Sequence, residues 1–378
     1  MFLSAWLACF VWAGLLLSAV WAQQAYDIIY VRAPRSETVQ TKMPEVFDPV
    51  QGEPGTDLML LHPDGTEEVL VPGGNGMIID PVMSFDAQYV YYSRFYGMRV
   101  PDDMQKDLHG PGYITKLGAD IFKLHLPTRQ ETQLTFGEWE PNGQAGKWSS
   151  DPLTAVPAGT NFPGYRPFNT APCPLPSGEL AYTSSRSGFL PNKGYTFPNF
   201  QLWTLNETTR VAHKIGALSL GSVLHPVVLT DGTIMFSSNE SQGPRDDRLW
   251  GLWRINPDGT WWGPLVSAVR KAASFHLHTQ LSNGDVAVTE YYNHNNNGFG
   301  TVWAFTPSLA NRPMADTIAP FGSPNPNDAS NPFIAYGYTT AGAQVYTKLR
   351  FSTKNVRSLT PFAHGADTKS SLVNGVYM

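Results

Sequence analysis

The chain has 378 residues, of which 12% are aromatic and only 15% are charged, with 34 glycines and 31 prolines. Many rings to bury and many turn-forming residues favour an all-β fold over a fold with long surface helices. The formal net charge of −5 and the lack of a basic stretch exclude an extended nucleic-acid-binding face, so we expect no nucleic-acid partner.

An apolar segment without charged side chains opens the chain. It ends in the small-residue sequence Ser18-Ala19-Val20-Trp21-Ala22, which suits cleavage by signal peptidase after Ala22. We predict a signal peptide at residues 1–22, a single propeller domain at residues 26–378, and a periplasmic or secreted location. The alternative is an uncleaved anchor, because the apolar stretch is long enough to span a bilayer. Otherwise we expect no contact with a membrane.

The two cysteines are Cys9, inside the predicted signal peptide, and Cys173. The mature chain therefore cannot form an internal disulfide, which fits a bacterial periplasmic-type protein with a large core better than a small secreted scaffold. The sequence contains no Cys-x-x-Cys-His motif. We therefore expect no covalent c-type haem in this chain and no thiolate zinc cluster.

One hairpin unit recurs along the chain, with a short extended stretch, a turn with Gly or Ala second, and an alternating apolar strand. The copies start at Asp80, Ala171, His225 and His276 and read DPVMSFDAQYVYYS, APCPLPSGELAYTS, HPVVLTDGTIMFSS and HLHTQLSNGDVAVT. We align all four in one register. A second strand pair follows, giving four strands and a period of about 50 residues, as in a propeller blade.

The repeat is incomplete at both ends of the chain. Near the N-terminus, later strands of a blade without a preceding hairpin are predicted at residues 26–33, 57–61 and 67–71. Near the other end, residues 363–376 resemble a degraded blade start. With a weak unit at residues 335–360, the pattern predicts six blades, with five as the alternative. The propeller either closes by pairing its terminal strands or is the cut end of a longer chain.

Equivalent positions in rotationally related blades form a ring near the central channel. The first position of the hairpin holds Asp80, His225 and His276 in three of the four units. In the fourth unit His276, His278 and Gln280 lie two residues apart, so we expect them on one strand face. Asp80, His225, His276 and His278 are therefore candidate ligands of a divalent metal such as Zn, Mn or Fe. The alternative is that these histidines hydrogen-bond neighbouring inner strands.

A polar loop, EYYNHNNNGFG, follows the fourth hairpin. Gln280, Glu290, Tyr292 and His294 are candidate substrate-binding residues at a pocket lip, where their side chains act as acid, base or ligand groups. The alternative is a loop that only connects two strands. The sequence has no nucleophile elbow, phosphate loop or zincin helix, and we assign no catalytic residue.

Several segments resemble known propellers. PGTDLMLLHPDGTEEVL followed by DPVMSFDAQYVYYS resembles the blade pattern of TolB-type propellers. HPVVLTDGTIMFSS, LWGLWRINPDGT and EYYNHNNNGFG resemble the propeller of the hydrazine synthase alpha-subunit family. This resemblance implies a six-bladed periplasmic propeller from a bacterial haem-protein setting. Family members with full activity carry covalent haem in flanking regions that are absent here, so no site residue is carried over.

Two functions remain open on these grounds. The first is a scaffold or a ligand- or partner-binding module in a redox assembly, with a cytochrome-like periplasmic protein as the partner. The alternative is a metal-dependent lyase or hydrolase with a histidine-lined site at the propeller channel.

Overall fold

The computed structural model describes residues 26–34, 50–98, 113–138, 166–189, 198–215, 221–239, 250–266, 273–292, 301–307, 334–338, 344–348 and 353–360. These residues form β-strands connected by turns and loops, which confirms the all-β prediction. Within them, no helix has the length and hydropathy needed to cross a membrane. The predicted signal peptide and the blade start predicted at residues 363–376 lie outside the described residues.

The strands form five blades of a β-propeller, each an antiparallel sheet. Blade 1 contains β1 (Ile28–Arg32), β2 (Asp57–Leu61) and β3 (Glu67–Val71). Blade 2 contains β4 (Met77–Met83), β5 (Tyr89–Phe95), β6 (Ala119–His125) and β7 (Gln130–Gln133). Blade 3 contains β8 (Asn169–Pro174), β9 (Glu179–Ser184), β10 (Gln201–Asn206) and β11 (Ala212–Lys214). Blade 4 contains β12 (Val223–Val228), β13 (Ile234–Asn239), β14 (Trp250–Ile255) and β15 (Gly263–Val266).

Blade 5 contains β16 (Ala273–Gln280), β17 (Val286–Tyr292), β18 (Thr301–Pro307) and a strand from further along the chain, β21 (Thr353–Ser358). A separate hairpin joins β19 (Ile334–Tyr338) to β20 (Gln344–Lys348). The weak unit predicted at residues 335–360 is thus divided, because β21 pairs with β18 and completes blade 5. The described residues agree with the alternative count of five blades.

The turns explain why the hairpins recur. At the turn between β12 and β13, a carboxylate oxygen of Asp231 accepts hydrogen bonds from the backbone N–H and the hydroxyl of Thr233, at 3.0 and 2.6 Å. Gly232 between them has φ +83°, a conformation that glycine adopts without steric cost. Side chain and glycine together close the turn and set the strand register.

Adjacent blades are linked at the beginnings of their strands. The backbone N–H of Ile78 donates to the carbonyl of Thr56 at 2.9 Å, and Val223 donates to Phe200 at 3.0 Å. The first strands of blades 2 to 5 (β4, β8, β12 and β16) pack against one another in succession, so they are the inner strands around the axis. A buried apolar cluster fills the space between blades where these strands begin, and its aromatic members are Phe95, Phe168, Phe200 and Trp250.

Each inner strand carries a β-bulge at the same place in its pairing with the second strand. One residue of each bulge has a left-handed backbone, and these residues are Asp80 (φ +53°), Ala171 (+52°), His225 (+54°) and Leu277 (+51°). A proline follows three of them, in agreement with the preference of proline for bulges, where a ladder N–H is dispensable.

The bulge corrects the sequence alignment in blade 5. Leu277, and not His276, occupies the position of Asp80 and His225. In the fourth hairpin, one more residue separates the first residue, His276, from the turn than in the other three hairpins. The predicted common register is therefore wrong by one residue there. The strict alternation assumed for His276, His278 and Gln280 is broken as well, because the register shifts between His276 and Thr279.

Candidate functional site

The site is built where the bulges of the inner strands meet the second strands. Opposite each bulge lies a fully buried hydroxyl residue on the second strand, paired with the residue just before the bulge. These residues are Ser93, Thr183, Ser237 and Thr289. Because a bulge leaves backbone groups outside the ladder, a hydroxyl at this register can satisfy them.

Ser93 shows this role in blade 2. Its hydroxyl accepts a hydrogen bond of 2.9 Å from the backbone N–H of Ala171 in blade 3 and lies 3.4 Å from a carboxylate oxygen of Asp80. Burial raises the pKa of Asp80 to about 6, and the N–H of Ala171 and the hydroxyl of Ser93 only partly oppose this shift. Asp80 is therefore a half-buried carboxyl group whose pKa no neighbouring cation lowers.

The three predicted histidines come together between blades 4 and 5. The rings of His225 and His276 meet edge to face, with their centroids 5.7 Å apart. The ring of Trp250 lies 4.9 Å from that of His276. His276 is fully buried and His278 is only 4% exposed, whereas Leu277 between them is 37% exposed. The structure therefore brings these histidines together, although the register predicted for blade 5 is wrong by one residue.

Burial keeps these imidazoles neutral. It lowers the pKa of His225 to about 4 and, with a further contribution from His225, lowers the pKa of His278 to about 3. The pKa of His276 is also well below its ordinary value, through burial first and then through the two neighbouring histidines. No carboxylate contributes to any of the three shifts. Near neutral pH the cluster is an uncharged set of nitrogen donors.

The four-residue metal site predicted from the sequence is not assembled as such. Asp80 belongs to blade 2 and His225 to blade 4, with β8 of blade 3 between their strands. Among the described residues, no group of three or more His, Cys, Asp or Glu side chains has an arrangement that could hold a metal ion. The structure thus groups the histidines and leaves Asp80 with Ser93.

The predicted substrate-binding residues lie in different parts of the chain and do not all belong to the described residues. The side chain of Gln280 accepts a hydrogen bond of 2.7 Å from the backbone N–H of Thr230 and donates one of 2.9 Å to the carbonyl of Gly284, so it links blade 5 to blade 4. Glu290 and Tyr292 lie on β17, and their backbones pair with Phe275 and Ala273. His294 and the rest of its loop lie outside the described residues, so the substrate-binding role stays a prediction.

Sequence reasoning missed two residues of the site, Ser237 and Trp250. Ser237 donates a hydrogen bond of 2.8 Å to the carbonyl of Phe275, and its oxygen lies 3.4 Å from Nδ1 of His278. The recurring Ser or Thr near the end of each second strand was a visible signal for Ser237. Trp250 gave no such signal, because its contact with His276 depends on how blades 4 and 5 pack.

Comparison with known proteins identifies no family. No family model matches the chain, and no curated protein matches it. Membership of the hydrazine synthase alpha-subunit family therefore stays a prediction.

Solved structures similar to the chain are propeller-containing proteins. A putative TolB from Agrobacterium tumefaciens has 15% identity and a TM-score of 0.34, covering 56% of this chain and 56% of that one. Hydrazine synthase from Kuenenia stuttgartiensis has 15% identity and a TM-score of 0.49, covering 74% and 37%. TolB from Acinetobacter baumannii has 13% identity and a TM-score of 0.38, covering 80% and 62%. The chain thus spans less than two thirds of each of these structures, and the propeller assignment rests on the strand pairing itself.

Proposed function

We propose that this propeller is an exported, non-catalytic binding module that engages a partner protein at the bulges of its inner strands, within a redox assembly. The observation that carries this proposal is the ring of left-handed residues, Asp80, Ala171, His225 and Leu277, at one register of four inner strands. Non-glycine residues in this conformation cost about 1–2 kcal/mol each, and such strain tends to concentrate at functional sites.

The side chains of the ring support binding. Asp80 and His225 are partly exposed, and Leu277, at the same register of blade 5, presents an apolar side chain that is 37% exposed. A carboxyl, an imidazole and an isobutyl group at one register of the inner strands offer a mixed surface of the kind that protein partners recognise. The haem-protein nature of the partner rests on the resemblance of the sequence segments to a propeller from a haem-protein setting. The exported location rests on the predicted signal peptide.

The described nucleophiles favour binding over catalysis. Burial raises the pKa of Cys173 to about 12, so its thiol stays protonated and unreactive. The hydroxyl of Ser237 donates its hydrogen bond to the carbonyl of Phe275. His278 therefore does not accept a hydrogen bond from this hydroxyl, as a general base would. Neither Cys173 nor Ser237 therefore has the arrangement of an activated nucleophile.

A pull-down from a periplasmic extract of the source cells tests the proposal. The tagged mature chain should retain a haem protein, recognised by its Soret absorbance. Leu277→Asp places a charge at the ring and should reduce recovery about tenfold, since a desolvated charge costs well over 1.4 kcal/mol. Val211→Asp is the matched control, because Val211 is 47% exposed on the outer hairpin of blade 3, and its recovery should equal that of the wild type.

Urea unfolding of both variants establishes that each is folded before the comparison. If no haem protein is retained, or if both variants lose it equally, the proposed binding surface is wrong.

A further inference from the structure

Two neighbouring tryptophans on the outer hairpin of blade 4 are largely exposed. Trp261 is 64% exposed and Trp262 is 46% exposed, although tryptophan side chains are highly buried on average. Both follow the turn that joins β14 to the outer strand β15. Of the large apolar side chains that are exposed in the described part of the chain, blade 4 contributes only these two, so the aromatic patch is confined to one hairpin.

Blade 1 provides an internal comparison for this hairpin. The sequence Pro-Asp-Gly-Thr forms the outer turn of blade 1 at residues 63–66 and that of blade 4 at residues 257–260. In both turns the glycine N–H donates to the carbonyl three residues earlier, and the aspartate accepts from the backbone N–H and the hydroxyl of the threonine. Both glycines have a left-handed backbone. The turn itself is therefore complete in each blade.

The chain after the turn is one residue longer in blade 4. In blade 1, Leu60 pairs with Glu68. Arg254 has the equivalent place before the turn of blade 4 but pairs with Gly263, which lies one residue further from the turn. Trp261 lies in this longer segment with a left-handed backbone, φ +57°, which a bulky side chain rarely adopts. Such strain tends to concentrate at functional sites, and the exposed Trp261 fills no space in the core.

Stacking holds the indole ring of Trp262 in place. It lies on the ring of Trp253, with centroids 5.2 Å apart and planes inclined by 23°. Trp253 packs against the buried cluster that contains Phe236 and Ile255, so the stack is anchored to the core. The exposed area of Trp262 therefore belongs to its opposite face and its edges. A Cβ atom at the adjacent Gly263 would meet nothing within 4 Å, so the space beside the stack is open.

A fixed aromatic face with a polar group beside it suits a sugar ring. The face of an indole is electron-rich, and the axial C–H bonds of a glucose-type pyranose carry partial positive charge, so the two faces attract each other. Sugar hydroxyls also need hydrogen-bond acceptors. Asp258, three residues before Trp261, is exposed and uses only Oδ1 for its two hydrogen bonds to Thr260, so Oδ2 can accept from a ligand.

The charges and side chains around the stack disfavour other ligands. Arg254 on β14 lies 3.8 Å from the carboxylate of Asp231, so its charge is balanced, and Asp258 adds a negative charge. Nucleic acids and anionic lipid surfaces need unbalanced basic side chains. A protein partner would need surrounding apolar contacts that exclude water, and the described exposed residues of blade 4 offer two tryptophans only.

The geometry points to a carbohydrate-binding site on the outer hairpin of blade 4. A β-linked hexopyranose stacks on the free face of Trp262, Trp261 contacts the next sugar unit, and Asp258 accepts a hydroxyl hydrogen bond. The site lies at the outer strand, whereas the proposed partner surface lies at the bulges of the inner strands. The inference therefore goes beyond the proposed function and does not depend on it.

Isothermal calorimetry of the mature chain with cellopentaose and with chitopentaose tests the site. We expect saturable binding of at least one, and no signal with sorbitol, which has hydroxyls but no ring. Trp262→Ala should weaken binding at least about tenfold, whereas Trp262→Tyr keeps an aromatic face and should retain most of the affinity. Phe85→Ala is the matched control, because Phe85 is an exposed aromatic residue on a turn of blade 2, and it should leave the affinity unchanged.

Trp261→Gly separates a binding role from a structural one. Glycine adopts the left-handed backbone without steric cost, so the variant should be at least as stable as the wild type in urea unfolding. Its affinity for the oligosaccharide should nevertheless be about tenfold lower. Lower stability with unchanged affinity would assign Trp261 to packing and contradict its part in the site.

The absence of saturable binding of both oligosaccharides to the folded wild-type chain would overturn the site, and so would unchanged affinity in Trp262→Ala. Retention of the chain on phosphatidylcholine vesicles that Trp262→Ala abolishes, without oligosaccharide binding, would assign the stack to lipid and overturn the carbohydrate site as well. Oligosaccharide binding is measured without a partner protein, and the pull-down is made without sugar, so the two proposals fail separately.

Discussion

The carboxylate of Asp120 accepts a hydrogen bond of 3.1 Å from the side-chain amide of Asn169, which lies on the inner strand of the next blade. The same carboxylate oxygen also accepts from the hydroxyl of Thr135 and from the backbone N–H of Gly137, each at 2.8 Å. Asp120 is only 6% exposed. One buried carboxylate thus connects β6, the segment after β7 and blade 3, and it acts as a tie between blades 2 and 3.

Replacing this tie should weaken the propeller. We expect Asp120→Ala to lower the free energy of unfolding by about 2–4 kcal/mol, because the three donors to this oxygen, and the two donors to the other oxygen, lose their acceptor. Asp64→Ala is the control, since Asp64 closes an exposed turn, and it should cause a much smaller change. Urea unfolding followed by tryptophan fluorescence measures both. Equal losses in the two variants would show that Asp120 has no special role between the blades.

Close backbone approach at the start of blade 2 gives a second prediction. A Cβ atom at Gly76 would lie 2.0 Å from the carbonyl oxygen of Phe95, which the strand pairing holds in place. Gly76→Ala should therefore destabilise the protein by roughly 3 kcal/mol or more, or prevent folding. At Gly263 a Cβ atom would meet nothing within 4 Å, so Gly263→Ala should be nearly neutral. Thermal unfolding of the two variants distinguishes this steric reason from a general cost of losing glycine.

Much of this fold could be predicted from the sequence because turn chemistry is local. Asp231 and Gly232 identify both the position of the turn and the register of its hairpin. In three of the four hairpins, the residue predicted to be the first is the one that has the left-handed conformation. The fourth failed because His276 resembles His225 in type while Leu277 takes the strained position. Which residue enters a bulge depends on the distance to the turn, and residue identity does not reveal it.

The candidate site was predictable only in part for the same reason. The histidines converge because His276 and His278 flank Leu277, the position of blade 5 that is equivalent to His225, and equivalent positions of neighbouring blades lie close together around the axis. The separation of Asp80 from His225 depends on blade 3 lying between them, and the anchoring of His278 depends on a hydroxyl of blade 4. Contacts between blades are set by packing, and a single sequence does not display them.

The thiol of Cys173 should be inert in the folded protein. It is 3% exposed, and burial raises its pKa to about 12, so the thiolate is scarce at pH 8. We expect no reaction with Ellman's reagent over an hour under native conditions and one equivalent of released thiolate in guanidinium chloride, when the predicted signal peptide is absent. Rapid native labelling would mean that the third blade opens readily.

Arg94 and Glu131 form a two-pronged ion pair within blade 2, with N···O distances of 2.9 and 2.8 Å. The guanidinium of Arg94 also lies over the ring of Phe122, 4.6 Å from its centroid. Since both side chains are only about a quarter to a third exposed, the pair is worth more than an ordinary surface pair. A double-mutant cycle with Arg94→Met and Glu131→Gln should give a coupling energy of about 1 kcal/mol. A coupling near zero would show that solvent screens the pair completely.

Asp80 should make the stability of the protein depend on pH. Its folded-state pKa of about 6 lies above the ordinary value of 3.8, so the folded state binds more protons than the unfolded state between these values. Stability is then fully present below about pH 4 and falls as the pH rises through 6, by roughly 1–3 kcal/mol. Asp80→Asn removes the charge, and asparagine tolerates the left-handed φ of +53° at this position.

We therefore expect Asp80→Asn to be more stable than the wild type at pH 7.5 and to equal it near pH 4, measured by urea unfolding across that range. Ser93→Ala is the companion variant, because Ser93 is the side chain that lies against the carboxyl. It should lower stability at both pH values and leave the pH dependence in place or steeper. If Asp80→Asn were less stable at pH 7.5, the ionised carboxyl would be stabilising, and its pKa would not be raised by burial.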